Sequence, residues 1–131
     1  MTNVRLDKLR KIYTGRLEEA TMGCDFSVFR KKDKFACRAQ LGLPQDKFII
    51  VTVSWLAHPL KQIDKFIDVL NEFQQRYSFL YIIVGGSGSD TRYADYVKQK
   101  AQPLITKNKI LFTEPILDNE TIAAYLNSAD L

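Results

Sequence analysis

The sequence predicts an α/β fold, a Rossmann-like parallel sheet with helices on both faces, and three observations carry that prediction. Residues 48–53 (FIIVTV) and 79–84 (FLYIIV) are unbroken apolar runs rich in β-branched residues, as strands buried on both faces of a parallel sheet are. Stretches of helical periodicity separate them. Each strand also ends in small or turn-forming residues, Ser54, Gly85-Gly86-Ser87-Gly88 and Glu114-Pro115, and ligands of open α/β sheets bind at such carboxyl ends.

Taken in order, Val4, Leu6, Leu9, Ile12 and Tyr13 suggest a short helix over 3–13, and residues 18–22 a short strand ended by Gly23. Asp33 is placed to cap a brief helix that runs to Gln40 and stops at Gly42 and Pro44. The strand at 48–53 follows. Ile63, Phe66, Ile67, Leu70, Phe73 and Tyr77 then form one apolar stripe of a long helix that Lys61 opens. After the strand at 79–84, a helical pattern from Tyr93 to Leu104 ends at Pro103 and the polar residues beyond it. A third strand is expected at 109–113, and a last helix, capped by Asp118 or Asn119, turns Ile122, Tyr125 and Leu126 inward. Ser128-Ala129-Asp130-Leu131 sits where another apolar strand would begin, so the expectation is a piece of a larger domain in a two-domain protein.

The 131 residues are 46% hydrophobic, enough for a single core. No apolar run approaches the ~20 residues that span a bilayer, so the expected location is cytoplasmic, with the inner face of a membrane as a peripheral site. Two cysteines, Cys24 and Cys37, read as free buried thiols rather than a disulfide framework or zinc site. The net charge of +4 comes from two basic clusters, Arg5 to Arg16 and Arg30 to Arg38. These read as a solvated face, with attraction to an anionic membrane surface as the rival. Phe26, Phe29 and Phe35 fit core anchors better than base-stacking platforms, so no nucleic-acid partner is expected.

The Gly85-Gly86-Ser87-Gly88 turn follows a strand and precedes a helix, where small residues let backbone amides approach a phosphate. It is equally a tight turn that needs glycine. Lys61 stands near the tip of the first strand, within reach of a diphosphate, or else is a surface lysine. His58 is the only histidine, without metal-ligand neighbours. Trp55 either stacks on a ligand ring or plugs a gap over the strand ends. Without a Ser-His-Asp set, carboxylate pair or Walker loop, the residues alone support a nucleotide- or phosphate-binding module and no particular reaction.

From Met22 onward the chain resembles the C-terminal half of the GT-B glycosyltransferases of the group 1 (family 4) type. Met22-Gly23-Cys24-Asp25 with Phe29 resembles the family's Asn-Gly-Val-Asp and later Phe; Arg38 with Leu41-Gly42-Leu43-Pro44 resembles its Arg-x-x-Leu-Gly-Leu-Pro. VTVSWLAHPLKQID resembles the strand, Gly-Arg-Leu loop and Lys-Gly-x-Asp, and IIVGGSG the Ile-Val-Gly-x-Gly. ILFTEPILDNETIAAYLNSADL resembles the Phe-x-Gly-x-Val, Leu-Tyr and Ala-Asp-Leu signature. The resemblance divides the chain into a lead-in, 1–21, and a partial donor-binding domain, 22–131.

What the resemblance implies is a nucleotide-sugar site that binds a donor such as a UDP- or GDP-sugar. Lys61 is implied on the diphosphate, Ser54 and Trp55 in the phosphate-facing loop, Gly86, Ser87 and Gly88 beneath the nucleotide, and Pro115 and Ile116 against the base. It further implies retaining transfer of a hexosyl group to a glycan or lipid acceptor, as in polysaccharide assembly, with no metal and no separate cofactor. Two residues depart from the pattern: Trp55 stands where the family has an arginine, and Gln62 where it has a glycine. The family's pair of glutamates falls beyond Leu131 and its acceptor-binding N-terminal domain is missing, so no catalytic residue is expected in this chain, and the expectation is a donor-binding fragment without turnover of its own. The rival readings are a degenerate, non-catalytic glycosyltransferase-like subunit and a small α/β nucleotide-binding module of receiver-like or flavodoxin-like type.

Overall fold

A computed structural model describes residues 11–16, 23–56, 59–86, 91–116 and 118–131. The chain forms α1 (Lys34–Gln40), β1 (Phe48–Val53), a 3-10 turn (Pro59–Lys61), α2 (Ile63–Phe73) and β2 (Phe79–Val84). It continues as α3 (Arg92–Lys100), α4 (Gln102–Thr106), β3 (Ile110–Phe112) and α5 (Asn119–Ser128). The strand expected at 18–22, and residues 3–10 of the first expected helix, lie outside the described residues; 11–16 form no helix.

The three strands are parallel in the order β1-β2-β3, with Val53 beside Val84 and Ile83 beside Phe112. Alternation of side chains along β2 gives the sheet two cores. Tyr81 and Ile83 face a cluster with Ile50, Ile63, Ile67, Leu70, Val97 and Leu104, which brings α2, α3 and α4 onto one face. Ile82 and Val84 join Ile49 and Leu43 on the other face, with Tyr125 of α5 packed against them. This is the doubly covered parallel sheet that the apolar runs predict. β1 is less enclosed than expected: Phe48 is half exposed and residues 51–53 are only partly buried, because β1 lies at the end of the strand order.

Local chemistry explains the element ends. Asp33 accepts from Ala36 N at 2.7 Å to start α1. Gly42, at φ +65°, ends it: Leu43 N donates to Arg38 O and Gly42 N to Ala39 O, the paired bonds of a Schellman closure. Asp118 caps α5 through Glu120 N and Thr121 N, and these hydrogen bonds together with that of the Thr121 hydroxyl hold its carboxyl below the usual range. Pro103 does not end a helix as expected; it lies in the first turn of α4, where its missing N–H costs nothing. β3 is two residues shorter than the expected 109–113, although Lys109 O and Thr113 N still bond to β2.

Other expectations are corrected. Lys61 does not open the long helix, because Gln62 adopts the left-handed conformation (φ 49°, ψ 38°) and α2 begins after it. The helix ends at Phe73, so Tyr77 lies past the stripe and both residues are exposed. Phe26 and Phe35 are exposed rather than core anchors, and Phe29 is partly buried. Cys24 is exposed on a loop before the Asp25 turn, whereas Cys37 is buried in α1. The second basic cluster is a solvated face only in part: Arg30 and Lys31 are exposed, but Lys32 pairs with Glu120, Lys34 with Asp130, and Arg38 is buried against Asp130. Among the described residues, no helix is long and apolar enough to cross a membrane.

Candidate functional site

The carboxyl ends of the strands converge on a cavity of about 340 Å³ lined by Val53, Trp55, Val84, Gly85, Pro115, Ile116 and Ile122. Parallel strands in register bring this about. Val53 and Val84 are paired neighbours, so the loops that leave them start side by side, and β3 delivers residues 113–116 next to the second. Trp55, Pro115 and Ile116 of the sequence-predicted site are therefore gathered around one space. The lining is mostly apolar, as sites for ligand rings are.

Trp55 is 68% exposed, so it stands at the mouth of the cavity rather than plugging a gap. Ser54 is buried; its N–H donates to Val84 O at 3.0 Å and its hydroxyl donates weakly to Trp55 O at 3.4 Å. Ser54 thus holds the loop through its backbone and turns no free hydroxyl to the cavity. Two threonine hydroxyls fix the neighbouring loops. Thr91 donates to Leu56 O at 2.8 Å while accepting from Ala94 N, which ties the loop after β1 to the start of α3. Thr113 accepts from Gly85 N at 2.9 Å.

The glycine turn has structural reasons for its composition. Gly85 sits at φ +84°, where a side chain is strained. A Cβ on Gly86 would lie 2.8 Å from Ile83 Cγ2 and 3.1 Å from Phe112 Cδ1, so the absence of a side chain lets the turn pack on the sheet. Ser87 and Gly88, like His58, lie outside the described residues.

Lys61 is exposed and its Nζ donates to Val53 O at 2.8 Å. In a parallel ladder, carbonyls of alternate residues point to opposite sides. Ser54 N bonds to β2, so Val53 O points away from it, and the ammonium rests on the outer edge of β1 rather than over the glycine turn. Lys61 is not itself part of the cavity lining and meets it only through Val53 O. Gln62 closes the 3-10 turn that carries Lys61: its backbone is left-handed and its N–H bonds to Pro59 O.

Sequence reasoning missed Val53, Val84 and Ile122 as parts of this site. The apolar members looked like ordinary strand and helix residues; only the register shows that they meet.

No protein-family model matches the chain. Among curated proteins, it is 27% identical over a 139-residue alignment to D-inositol 3-phosphate glycosyltransferase 2 of Catenulispora acidiphila, covering 99% of this chain and 32% of that protein. It is 30% identical over 112 residues to D-inositol 3-phosphate glycosyltransferase of Nocardioides sp., covering 79% of this chain and 24% of that one. Sucrose-phosphate synthase from Thermosynechococcus elongatus shares the fold, with a TM-score of 0.71 at 24% identity over 96% of this chain and 31% of that chain. The chain spans about a quarter to a third of the proteins it matches. In sequence and in fold it is a relative of the group 1 GT-B glycosyltransferases.

Proposed function

We propose that the chain is the donor-binding part of a glycosyltransferase that takes a nucleotide-activated hexose and transfers it, with retention, to a glycan or lipid acceptor held elsewhere in the protein. The observation that carries this reading is the cavity at the strand tips, where Trp55, Pro115 and Ile116 offer apolar surface to a base beside the glycine turn. In this reading Trp55 stacks on the ring and the turn lies beneath the ribose and phosphates. Lys61 leaves the neutral Val53 carbonyl for the charged diphosphate, an exchange favoured because a charge-assisted hydrogen bond is roughly twice as strong as a neutral one. Its chemical role is to stabilise the diphosphate as the sugar departs. No metal or separate cofactor takes part, and the chain alone turns over no donor.

Trp55 in place of a cation favours a second reading, a degenerate subunit that binds nucleotide without chemistry. Calorimetric titration of the chain with UDP, GDP, ADP and the matching nucleosides tests both. The donor-site reading expects one nucleoside diphosphate to bind about tenfold more tightly than its nucleoside. Equal affinities favour the degenerate subunit, and no binding at millimolar ligand by a folded chain overturns both.

A further inference from the structure

Thr113 lies one residue past β3, and its N–H donates to Ile83 O at 3.1 Å, extending the ladder with β2 by one bond. That bond sets its side chain beside the glycine turn. The hydroxyl accepts from Gly85 N at 2.9 Å and donates to Glu114 O at 3.1 Å. One oxygen thus joins two backbone segments from different βα units. These segments carry Gly85, Pro115 and Ile116, all of which line the cavity.

The bond to Gly85 restrains a residue that needs restraint. At φ +84° glycine is in a region it shares with few competitors, yet free glycine samples many other conformations. Its N–H is partly buried, so loss of the hydroxyl leaves a donor without that partner. The bond to Glu114 fixes the peptide plane leading into Pro115. We infer that Thr113 is a positioning residue of the donor pocket, whose hydroxyl sets the spacing between the glycine turn and the segment that faces the base. The inference rests on the donor-site reading above.

Thr113→Val keeps the shape and removes the hydroxyl; Thr113→Ser keeps the hydroxyl and removes the methyl. The full chain and both variants are titrated with the nucleoside diphosphate that binds best, and amide exchange at Gly85 is followed by NMR without ligand. The valine variant is expected to lose about tenfold in affinity and to exchange Gly85 faster, with serine restoring both. Thr113→Ala supplies the same comparison if the valine variant does not fold. Unchanged affinity, or unchanged Gly85 exchange, in a folded variant without the hydroxyl overturns the inference alone. Absence of nucleotide binding by the unsubstituted chain instead overturns the donor-site reading, and this inference with it.

Discussion

The two ends of β1 carry opposite kinds of electrostatics. At its beginning, Arg38 is 2% exposed and each of its guanidinium nitrogens is hydrogen-bonded within the protein: Nε to Ser128 O, Nη1 to Gln45 O and Lys47 O, and Nη2 to Asp130 at 2.6 Å. Asp130 also accepts from Ile49 N at 2.8 Å and pairs with Lys34. At the far end a single exposed ammonium rests on one neutral carbonyl. The first arrangement is saturated and joins α1, β1 and the end of α5, so it secures the fold. The second, in the proposed donor site, keeps a cation whose partner a phosphate would replace. Charge density alone does not mark a ligand site, since the densest cluster of charges serves the fold.

The largest effect that sharpens this contrast comes from the saturated end. Arg38→Ala leaves Asp130 and three carbonyls without their guanidinium, and should cost about 3 kcal/mol in urea unfolding. Acid should act on the same cluster. Burial works to raise the Asp130 carboxyl, but hydrogen bonds from Lys34, Ile49 N and Arg38 outweigh it and bring the pKa down to about 2 from 3.8. A depressed folded-state pKa gives stability that is present above pH ~4 and lost as pH falls toward 2. Asp130→Asn should flatten that loss in an acid titration followed by circular dichroism.

Gly86→Ala, which pushes a methyl into Ile83 and Phe112, should cost about 2 kcal/mol. At the exchangeable end, Lys61→Met should leave the urea midpoint unchanged and weaken nucleoside diphosphate binding about tenfold, without weakening nucleoside binding. If stability falls instead, the bond to Val53 O is structural and the contrast between the two ends fails. The smallest effect is a gain: Gln62→Gly relieves a left-handed side-chain residue and should raise stability by about 0.5 kcal/mol, since the entropy of glycine offsets part of the relief.

The fold was legible because its signals are local. The apolar runs at 48–53 and 79–84 give strand bounds to the residue, and Asp33, Gly42 and Asp118 mark helix ends by hydrogen-bonding chemistry within a few positions. The site was legible only in part. Trp55, Pro115 and Ile116 meet as expected of loops at strand ends, but the cavity also uses Val53, Val84 and Ile122, whose sequence pattern records burial and nothing more. The basic cluster at 30–38 misled in part, for a similar reason: Arg30 and Lys31 are exposed, but the other three are paired. Net charge counts cations, and the carboxylates that neutralise Lys32, Lys34 and Arg38 come from residues about ninety positions away.

By itself, then, the sequence determined the strands, most of the helices and the kinship with group 1 GT-B glycosyltransferases, because periodicity, capping and ordered motifs depend on neighbours along the chain. Only the tertiary structure decided that Arg38 is a buried strut, that Lys61 rests on Val53 O, and that Thr113 joins Gly85 to Glu114. Each of those is a choice among hydrogen-bond partners, and partners remote in the chain become available only when parallel strands fix which tips lie side by side.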